Sequence, residues 1–434
     1  MPELSDSLDD WGGTEFVLAA DRLDTPDVIE AADPGDMLRQ VASAAAQVRT
    51  ALRSCTETDL SAVTPDARPR AIVVAGLGGS GLAGEMLAAI TGPSSPVQVV
   101  TAQADRLPGW VGAADAVIAV SASGTTAQTL AAATDAARRG CRLVGVGAKG
   151  SSLHRIAEQA RAPFIPVVAA GREVSTTNSV LPRSMLWGLA IPLLVIAERL
   201  GVTRVGPEVY EQAARRLEEV SHQCRPASES FVNPGKSLAL DLVGTLPVVW
   251  GTSVLSGVAV RRFVSQLSDN AKYPAIAGLL PEAAHNQIAA FDGPFAPAAR
   301  PSPGEAGVTA ESLPPPPSPF AEAAEDLSGL PDLSSWDLDY EDTGPARGFT
   351  PLRLVLIVDP GQDQLVAAQQ RAVSELAAQR GIGLSELAMD GEHPLVRLAG
   401  VLHLADYASV YLAIASGIDP SQAAAVSDLQ ARIE

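Results

Sequence analysis

Doubly wound parallel α/β sheets are the fold the sequence predicts, and three observations carry that expectation. Short continuous apolar runs recur at 71–75, 97–101, 116–120, 142–146 and 164–168, and stretches rich in Ala with helical spacing separate them. Runs that are continuous rather than alternating mark strands buried on both faces, and strand–helix alternation implies parallel pairing. Two of the runs end directly in loops of glycine and hydroxyl residues, and ligands of such sheets sit at strand carboxyl ends beside the switch in strand order. At 434 residues the chain is long enough for two ordinary domains.

The first run, Ala71 to Ala75, passes into Gly76, Gly78, Gly79, Ser80 and Gly81 and then into an Ala/Leu/Met helix. A strand, a glycine turn and a helix start form an anion site, because glycine lets backbone approach closely and the free N–H groups point at a phosphate. The spacing Gly76-x-Gly78-x-x-Gly81 also fits a dinucleotide fingerprint, or a tight turn with no ligand. The dinucleotide reading wants an acid about 20 residues on. The next strand, 97–101, ends without one, and Asp105 comes too late. The run 116–120 leads into Ser121-Ala122-Ser123-Gly124-Thr125-Thr126, a cup of donors suited to a phosphate dianion.

The remaining elements follow in order. Residues 1–35 are acidic and read as an extended or loosely packed arm, and 36–52 as a helix. Arg183 follows a proline at the start of a long apolar helix, where its fork suits a phosphate or another developing anionic oxygen, or packs on that helix. A helical connector covers 205–235. A second unit, 236–434, has strands at 246–250, 353–358 and 383–388 and a helix at 257–266 leading to Asp269. Residues 292–348 hold 11 prolines and 11 acidic residues against Arg300 and Arg347, a composition that cannot bury a core and reads as a disordered or extended insertion. Leu404, Tyr407 and Tyr411 have helical spacing and read as core. His393 and His403 read as structural.

The stretches GGSGLAGE and SASGTTAQT together resemble the sugar isomerase (SIS) domain. The segment SDNAKYPAIAGLLPEAAHNQIAAF resembles the catalytic segment of one branch, the bifunctional phosphoglucose/phosphomannose isomerases. The resemblance implies two SIS-type, flavodoxin-like parallel-sheet domains, at 36–204 and 236–434, the second without a phosphate site. It implies aldose–ketose isomerisation of glucose 6-phosphate or mannose 6-phosphate to fructose 6-phosphate through a cis-enediolate, with no metal or redox cofactor. Carried over residue by residue, Gly78, Gly79, Ser80, Ser121, Ser123 and Thr126 hold phosphate, Arg183 stabilises the enediolate, Asp269 is the base and His285 opens the ring. The resemblance also implies a homodimer in which the histidine comes from the neighbouring subunit. The chain departs from the pattern at four places: Asp269 and Gln287 stand where the family has Glu, Gln128 replaces a phosphate-loop Glu, and Gln430 stands where a tail lysine is expected.

Other readings remain beside this one. Asp269-Asn270 also suits a helix cap, His285 a loop bond, and Glu282 either an alternative base or an acid favoured by a helix dipole. A degenerate phosphosugar-binding sensor is the second hypothesis, and a nucleotide-dependent oxidoreductase the third. A net charge of −19 argues against nucleic acid and anionic membrane as partners. Cys55, Cys141 and Cys224 have no metal spacing and suit a reducing cytoplasm, the expected location. No zinc-type cluster supports a metal-dependent mannose-phosphate isomerase.

Overall fold

The structure is a computed structural model that describes residues 11–65, 68–169, 172–173, 182–297 and 350–433. Four helices come first: α1 (Trp11–Asp24), α2 (Pro26–Ala32), α3 (Met37–Ala42) and α4 (Ala44–Glu57). A first sheet is then built from β1 (Ala71–Ala75), α5 (Gly79–Thr91), β2 (Gln98–Ala102), β3 (Ala116–Ser121), α6 (Ala127–Arg138), β4 (Arg142–Gly147), α7 (Ser152–Gln159) and β5 (Phe164–Pro166). A short hairpin, β6 (Val168–Ala169) and β7 (Arg172–Glu173), precedes α8 (Leu186–Arg199), α9 (Pro207–Gln223) and α10 (Pro234–Leu242). The second sheet follows as β8 (Leu246–Gly251), α11 (Val254–Gln266), β9 (Ile276–Leu279), α12 (Ala283–Asn286), β10 (Leu352–Val358), α13 (Gln364–Gln379) and β11 (Gly383–Ala388). The chain closes on α14 (Pro394–Ala415) and α15 (Ala424–Ile433).

The first sheet runs β2-β1-β3-β4-β5 and the second β11-β10-β8-β9, every neighbouring pair parallel. Each order reverses beside its first strand, so each sheet has a switch point: between β1 and β3 in one, between β8 and β10 in the other. In β1 the side chains split by parity. Ile72 and Val74 face α5 and α8, whereas Val73 and Ala75 face Ala132 and Ala133 of α6. The inner faces of both sheets meet the same buried layer, in which Met86 of α5, Ile191 of α8, Phe263 of α11 and Leu402 of α14 belong to one continuous cluster with Val74 and Val355. A sheet buried on both faces by helices needs apolar residues at every strand position, which is why these strands read as unbroken apolar runs.

The 22-residue α14 is long and apolar enough to cross a membrane by length and composition alone, yet 94% of its most apolar window is buried within the fold. A helix apolar on all sides is a core helix when protein surrounds it. Tyr407 and Tyr411 are buried in it, as their spacing predicts.

Two expectations are corrected, and the connector is helical as expected. Residues 11–32 form two helices rather than an extended arm, and Ala19, Leu23 and Ile29 are buried. The arm is pinned by the buried ammonium of Lys236, which donates to Leu23 O at 2.5 Å, Pro226 O at 2.8 Å and Ser228 O at 2.7 Å, and by Arg22, which donates to Ala415 O at the end of α14. The helix of the connector, α9, packs on α4 and α14 and buries Tyr210, Ala213, Leu217 and Val220. Of the proline-rich insertion, residues 292–297 are ordered into the second unit: Ala296 is buried and Phe295 O accepts from Leu352 N at 2.8 Å. The remainder, 298–348, lies outside the described residues.

Candidate functional site

The carboxyl ends of β1 and β3 flank the first switch point, and the two loops predicted to bind phosphate both leave from there. Gly78 adopts φ +54°, ψ −128°, a conformation open to glycine. A Cβ on Gly76 would lie 2.9 Å from Ser80 Cβ and 3.1 Å from Val120 O, and one on Gly81 would lie 2.9 Å from Gly76 O. These two glycines serve close packing of the turn on α5 and β3, so the glycine pattern alone is explained by packing. Gly78 has open space before it. Neither α5 nor α6 has a side chain capping its first turn. Ser80 N turns back to Leu77 O at 3.1 Å, and the other leading N–H groups are left for solvent or an anion.

In the second loop the hydroxyls bond one another. Ser121 Oγ accepts from Gly124 N at 3.0 Å and lies 2.9 Å from Thr126 Oγ1, and Ser123 Oγ lies 2.9 Å from Thr125 Oγ1. Thr126 stands at the N-cap of α6 but turns its hydroxyl to Ser121, away from the helix amides. Gln128 is exposed one position into the helix. Gly124, at φ +67°, rests on α7, where a Cβ would collide with Oγ and Cβ of Ser151. The Gly124→Ala variant is therefore expected to displace the hydroxyl loop. Backbone amide hydrogen exchange in 121–126 should accelerate at least tenfold, with the remaining helices and strands intact by circular dichroism.

A second group gathers charged residues. Arg183 lies in a 3-10 turn (Pro182–Ser184) before α8, and its Nη2 donates to Pro420 O and Ser421 O, each at 2.7 Å. Its Nε is buried without a partner among the described residues. Burial lowers the Arg183 pKa, and the charges of Asp269 and Asp419 pull it back up. Asp269 sits on a π-turn, Leu267–Ala271, that follows α11; it is half-buried, and its carboxylate makes no hydrogen bond among the described residues. Behind this pair, Arg262 donates to both carboxylate oxygens of Asp406, at 2.7 and 3.0 Å, and to Arg183 O at 2.8 Å. Helix α5 ties the two groups together, because it starts at the glycine loop and packs on α8, which follows Arg183, and on α11, which leads to Asp269.

Lys272 was not singled out by sequence reading, yet it belongs here. Its Nζ donates to Asp269 O at 3.2 Å, Asn270 O at 3.0 Å and Asp419 O at 2.9 Å. Burial lowers its pKa first, and Arg183 lowers it further. The only sequence signal is a lysine within the segment that carries Asp269.

The structure brings Arg183 and Asp269 together and does not bring His285 to them. His285 is exposed on α12, and its ring makes no hydrogen bond or ion pair among the described residues. Glu282, at the N-cap of α12, is also exposed and lines a cavity of about 500 Å³ with Glu85 and Arg261. Gln287 has a structural explanation: its Oε1 accepts from Trp250 Nε1 at 2.7 Å while its Nε2 donates to Ala277 O at 2.9 Å. A glutamate could supply only the acceptor and would set a carboxylate against that carbonyl. The side chain of Gln430, on α15, lies outside the described ones. His393 caps α14 by accepting from Leu395 N at 3.1 Å. His403 is wholly buried.

At the second switch point the chain supplies its own anion. Asp359, buried at the end of β10, accepts from Ser253 Oγ at 2.6 Å and Gly361 N at 3.0 Å and pairs with Arg397 at 3.2 Å. A resident carboxylate fills the place that the first switch point leaves open.

Comparison with known proteins agrees with this architecture. Residues 231–433 match the bacterial phospho-glucose isomerase C-terminal SIS domain. A bifunctional phosphoglucose/phosphomannose isomerase of Caldicellulosiruptor bescii is 30% identical over 224 residues, 51% of this chain and 63% of that protein. A D-glucosamine-6-phosphate 4-epimerase of Sulfolobus acidocaldarius is 27% identical over 213 residues, 49% of this chain and 61% of that protein. The chain thus covers less than two thirds of the length of either relative. Among solved structures, a hypothetical protein of Thermus thermophilus superposes with a TM-score of 0.59 at 15% identity, over 97% of this chain and 94% of that one. That similarity shows the fold.

Proposed function

We propose that this chain, an SIS-domain protein resembling the bifunctional phosphoglucose/phosphomannose isomerases, interconverts an aldose and a ketose hexose phosphate through a cis-enediolate. The observation that carries the proposal is the carboxylate of Asp269, which makes no hydrogen bond among the described residues and lies within electrostatic reach of Arg183, whose Nε is buried without a partner among those residues. A base free to accept a proton next to a fixed cation is what enediolate formation requires.

In this reading Gly78, Gly79, Ser80, Ser121, Ser123 and Thr126 hold the phosphate through the two uncapped helix starts and the hydroxyl cluster. Asp269 takes the proton from C2 of the open-chain aldose, the charge developing on oxygen faces Arg183, and the carboxylate returns the proton to C1. The hydroxyl proton moves from O2 to O1, so the sugar is neither oxidised nor reduced overall. Ring opening falls to His285 of a second copy in a homodimer, which accords with its exposure and with a ring that makes no hydrogen bond or ion pair among the described residues of its own chain. Asp269 is one methylene shorter than the family's glutamate, and a proton-transfer group misplaced by about 1 Å can slow turnover roughly a hundredfold.

The test is incorporation of solvent deuterium at C2 of glucose 6-phosphate and mannose 6-phosphate, followed by NMR. Wild type is expected to exchange and Asp269→Asn to exchange at least a hundredfold more slowly. A second reading, a phosphosugar-binding protein without turnover, is favoured by the shortened base. Absence of exchange in wild type, together with a phosphosugar-induced thermal shift that Ser123→Ala removes, would establish that reading instead.

A further inference from the structure

We propose that Lys272 is the residue that positions the base. It clamps the turn carrying Asp269 to the C-terminal loop at 419–421, the same loop that holds Arg183. The inference rests on the isomerase reading given above and adds to it a residue with a defined role.

A lysine ammonium has three protons and no acceptor capacity. Lys272 directs its Nζ at three backbone carbonyls, those of Asp269, Asn270 and Asp419. None of its donors is left over for a substrate oxygen, so the chemistry is that of a brace rather than a ligand. Two of the three acceptors belong to the π-turn, one of them to the base itself. The third lies on the far side of the fold in sequence, immediately before the carbonyls of Pro420 and Ser421 that accept from Arg183 Nη2. Three consecutive carbonyls of one loop therefore fix both cations of the site.

The backbone agrees. Lys272 is one of the few residues other than glycine with positive φ among the described residues, at φ 55°, ψ 32°. A side chain with Cβ rarely adopts this conformation unless its surroundings hold it there. The conformation ends the π-turn and returns the side chain over the carbonyls behind it. Burial and then the positive charge of Arg183 disfavour the Lys272 ammonium, Asp419 and Asp269 favour it, and the three carbonyls accept its protons. The loop itself is fixed on its other side. Asp419 Oδ1 accepts from Ser421 N at 2.8 Å and from Ser421 Oγ at 2.6 Å, and Gly35 lies so close that a Cβ on it would collide with Ser421 Cβ. The turn between α2 and α3 thus packs against the loop.

A brace of this kind predicts a separation of kcat from KM. Phosphate anchoring lies elsewhere, on the 76–81 and 121–126 loops, so losing the brace leaves substrate binding and misplaces the base. The full chain is compared as wild type, Lys272→Met and Lys272→Arg. The readouts are C2 deuterium exchange as a function of hexose phosphate concentration and backbone amide hydrogen exchange. Lys272→Met is expected to lower kcat about a hundredfold with KM within about twofold. It should accelerate amide exchange in 267–273 and 418–423 and leave other segments unchanged. Lys272→Arg, which keeps the charge and donors, is expected to recover part of kcat. A rise in KM with kcat unchanged would make Lys272 a substrate ligand, and unchanged amide exchange in both segments would remove the clamp; either result overturns the proposal. If Lys272→Met does not fold, Lys272→Gln carries the same comparison. Wild type without C2 exchange would sink the isomerase reading, and the amide measurement would still decide the clamp.

Discussion

Asp406→Ala is expected to lower the free energy of unfolding by about 3–5 kcal/mol, measured by urea denaturation at pH 7. This is the range for breaking a buried pair by removing one partner. The side chains of Arg262 and Asp406 are 3% and 7% exposed, and they meet in a two-point contact at 2.7 and 3.0 Å. Burial pushes the Asp406 pKa up and the Arg262 guanidinium pulls it down. The carboxylate therefore depends on its partner to remain charged, and the guanidinium depends on the carboxylate because it cannot lose its proton. Truncating Asp406 leaves a cation on α11 with no water to reach it. Replacing both partners with apolar residues, Arg262→Met with Asp406→Leu, is expected to restore most of the stability, since such swaps are often neutral or better. On the proposed isomerase reading, turnover should not return with it. Arg262 Nη2 also holds Arg183 O at 2.8 Å, so the double variant folds with the site arginine released from behind. A loss below about 1 kcal/mol in Asp406→Ala, or full activity in the stable double variant, would refute this account.

What the sequence could show depended on how strongly burial constrains each stretch. The central strands β1, β3, β8 and β10 are enclosed on both faces, so their apolar runs announce them within a residue of their observed ends. The strand β9 was missed, because as an edge strand it is largely exposed and mixes Ile276 and Leu279 with Ala277 and Gly278. The N-terminal helices were missed for a different reason. Their acidic residues suggested solvation, while the contacts that hold them, Lys236 on Leu23 O and Arg22 on Ala415 O, join positions far apart in the chain. The hydroxyl loop and Arg183 were legible as local patterns of residue type. Lys272 was not, since its role lies in carbonyls contributed by Asp419 and by its own turn. The glycine fingerprint was legible for a mixed reason: Gly76 and Gly81 answer to packing, and Gly78 alone to the open approach.

Acid should destabilise the fold through His403, and the sign follows from its direction of shift. The imidazole is wholly buried, with Nε2 2.7 Å from Ser221 Oγ of α9, Tyr407 edge-on at 5.0 Å, and Nδ1 without a partner among the described residues. Burial first, and then the Arg262 guanidinium of α11, push its pKa down to about 3 from the ordinary 6.5. Asp406 of the same helix is engaged by Arg262 and lends His403 no compensating charge. Between pH 6.5 and about 3 the unfolded chain binds a proton at this residue that the folded chain refuses. Stability from this group is therefore complete above pH 6.5, falls as pH drops through that window, and levels off below about 3. At about 1.4 kcal/mol per unit the loss reaches roughly 2 kcal/mol at pH 5. The carboxylates add a common acid slope of their own, so the informative quantity is the difference between wild type and His403→Gln, which keeps a polar group toward Ser221 and cannot titrate. Urea denaturation of both chains from pH 7.5 to 4.5 is expected to give curves that converge as the pH falls, with wild type losing about 2 kcal/mol more than the variant by pH 5. Parallel curves across that range would mean that His403 takes up its proton inside the fold as easily as outside it, and that the buried pocket around Arg262 is less closed to charge than its geometry indicates.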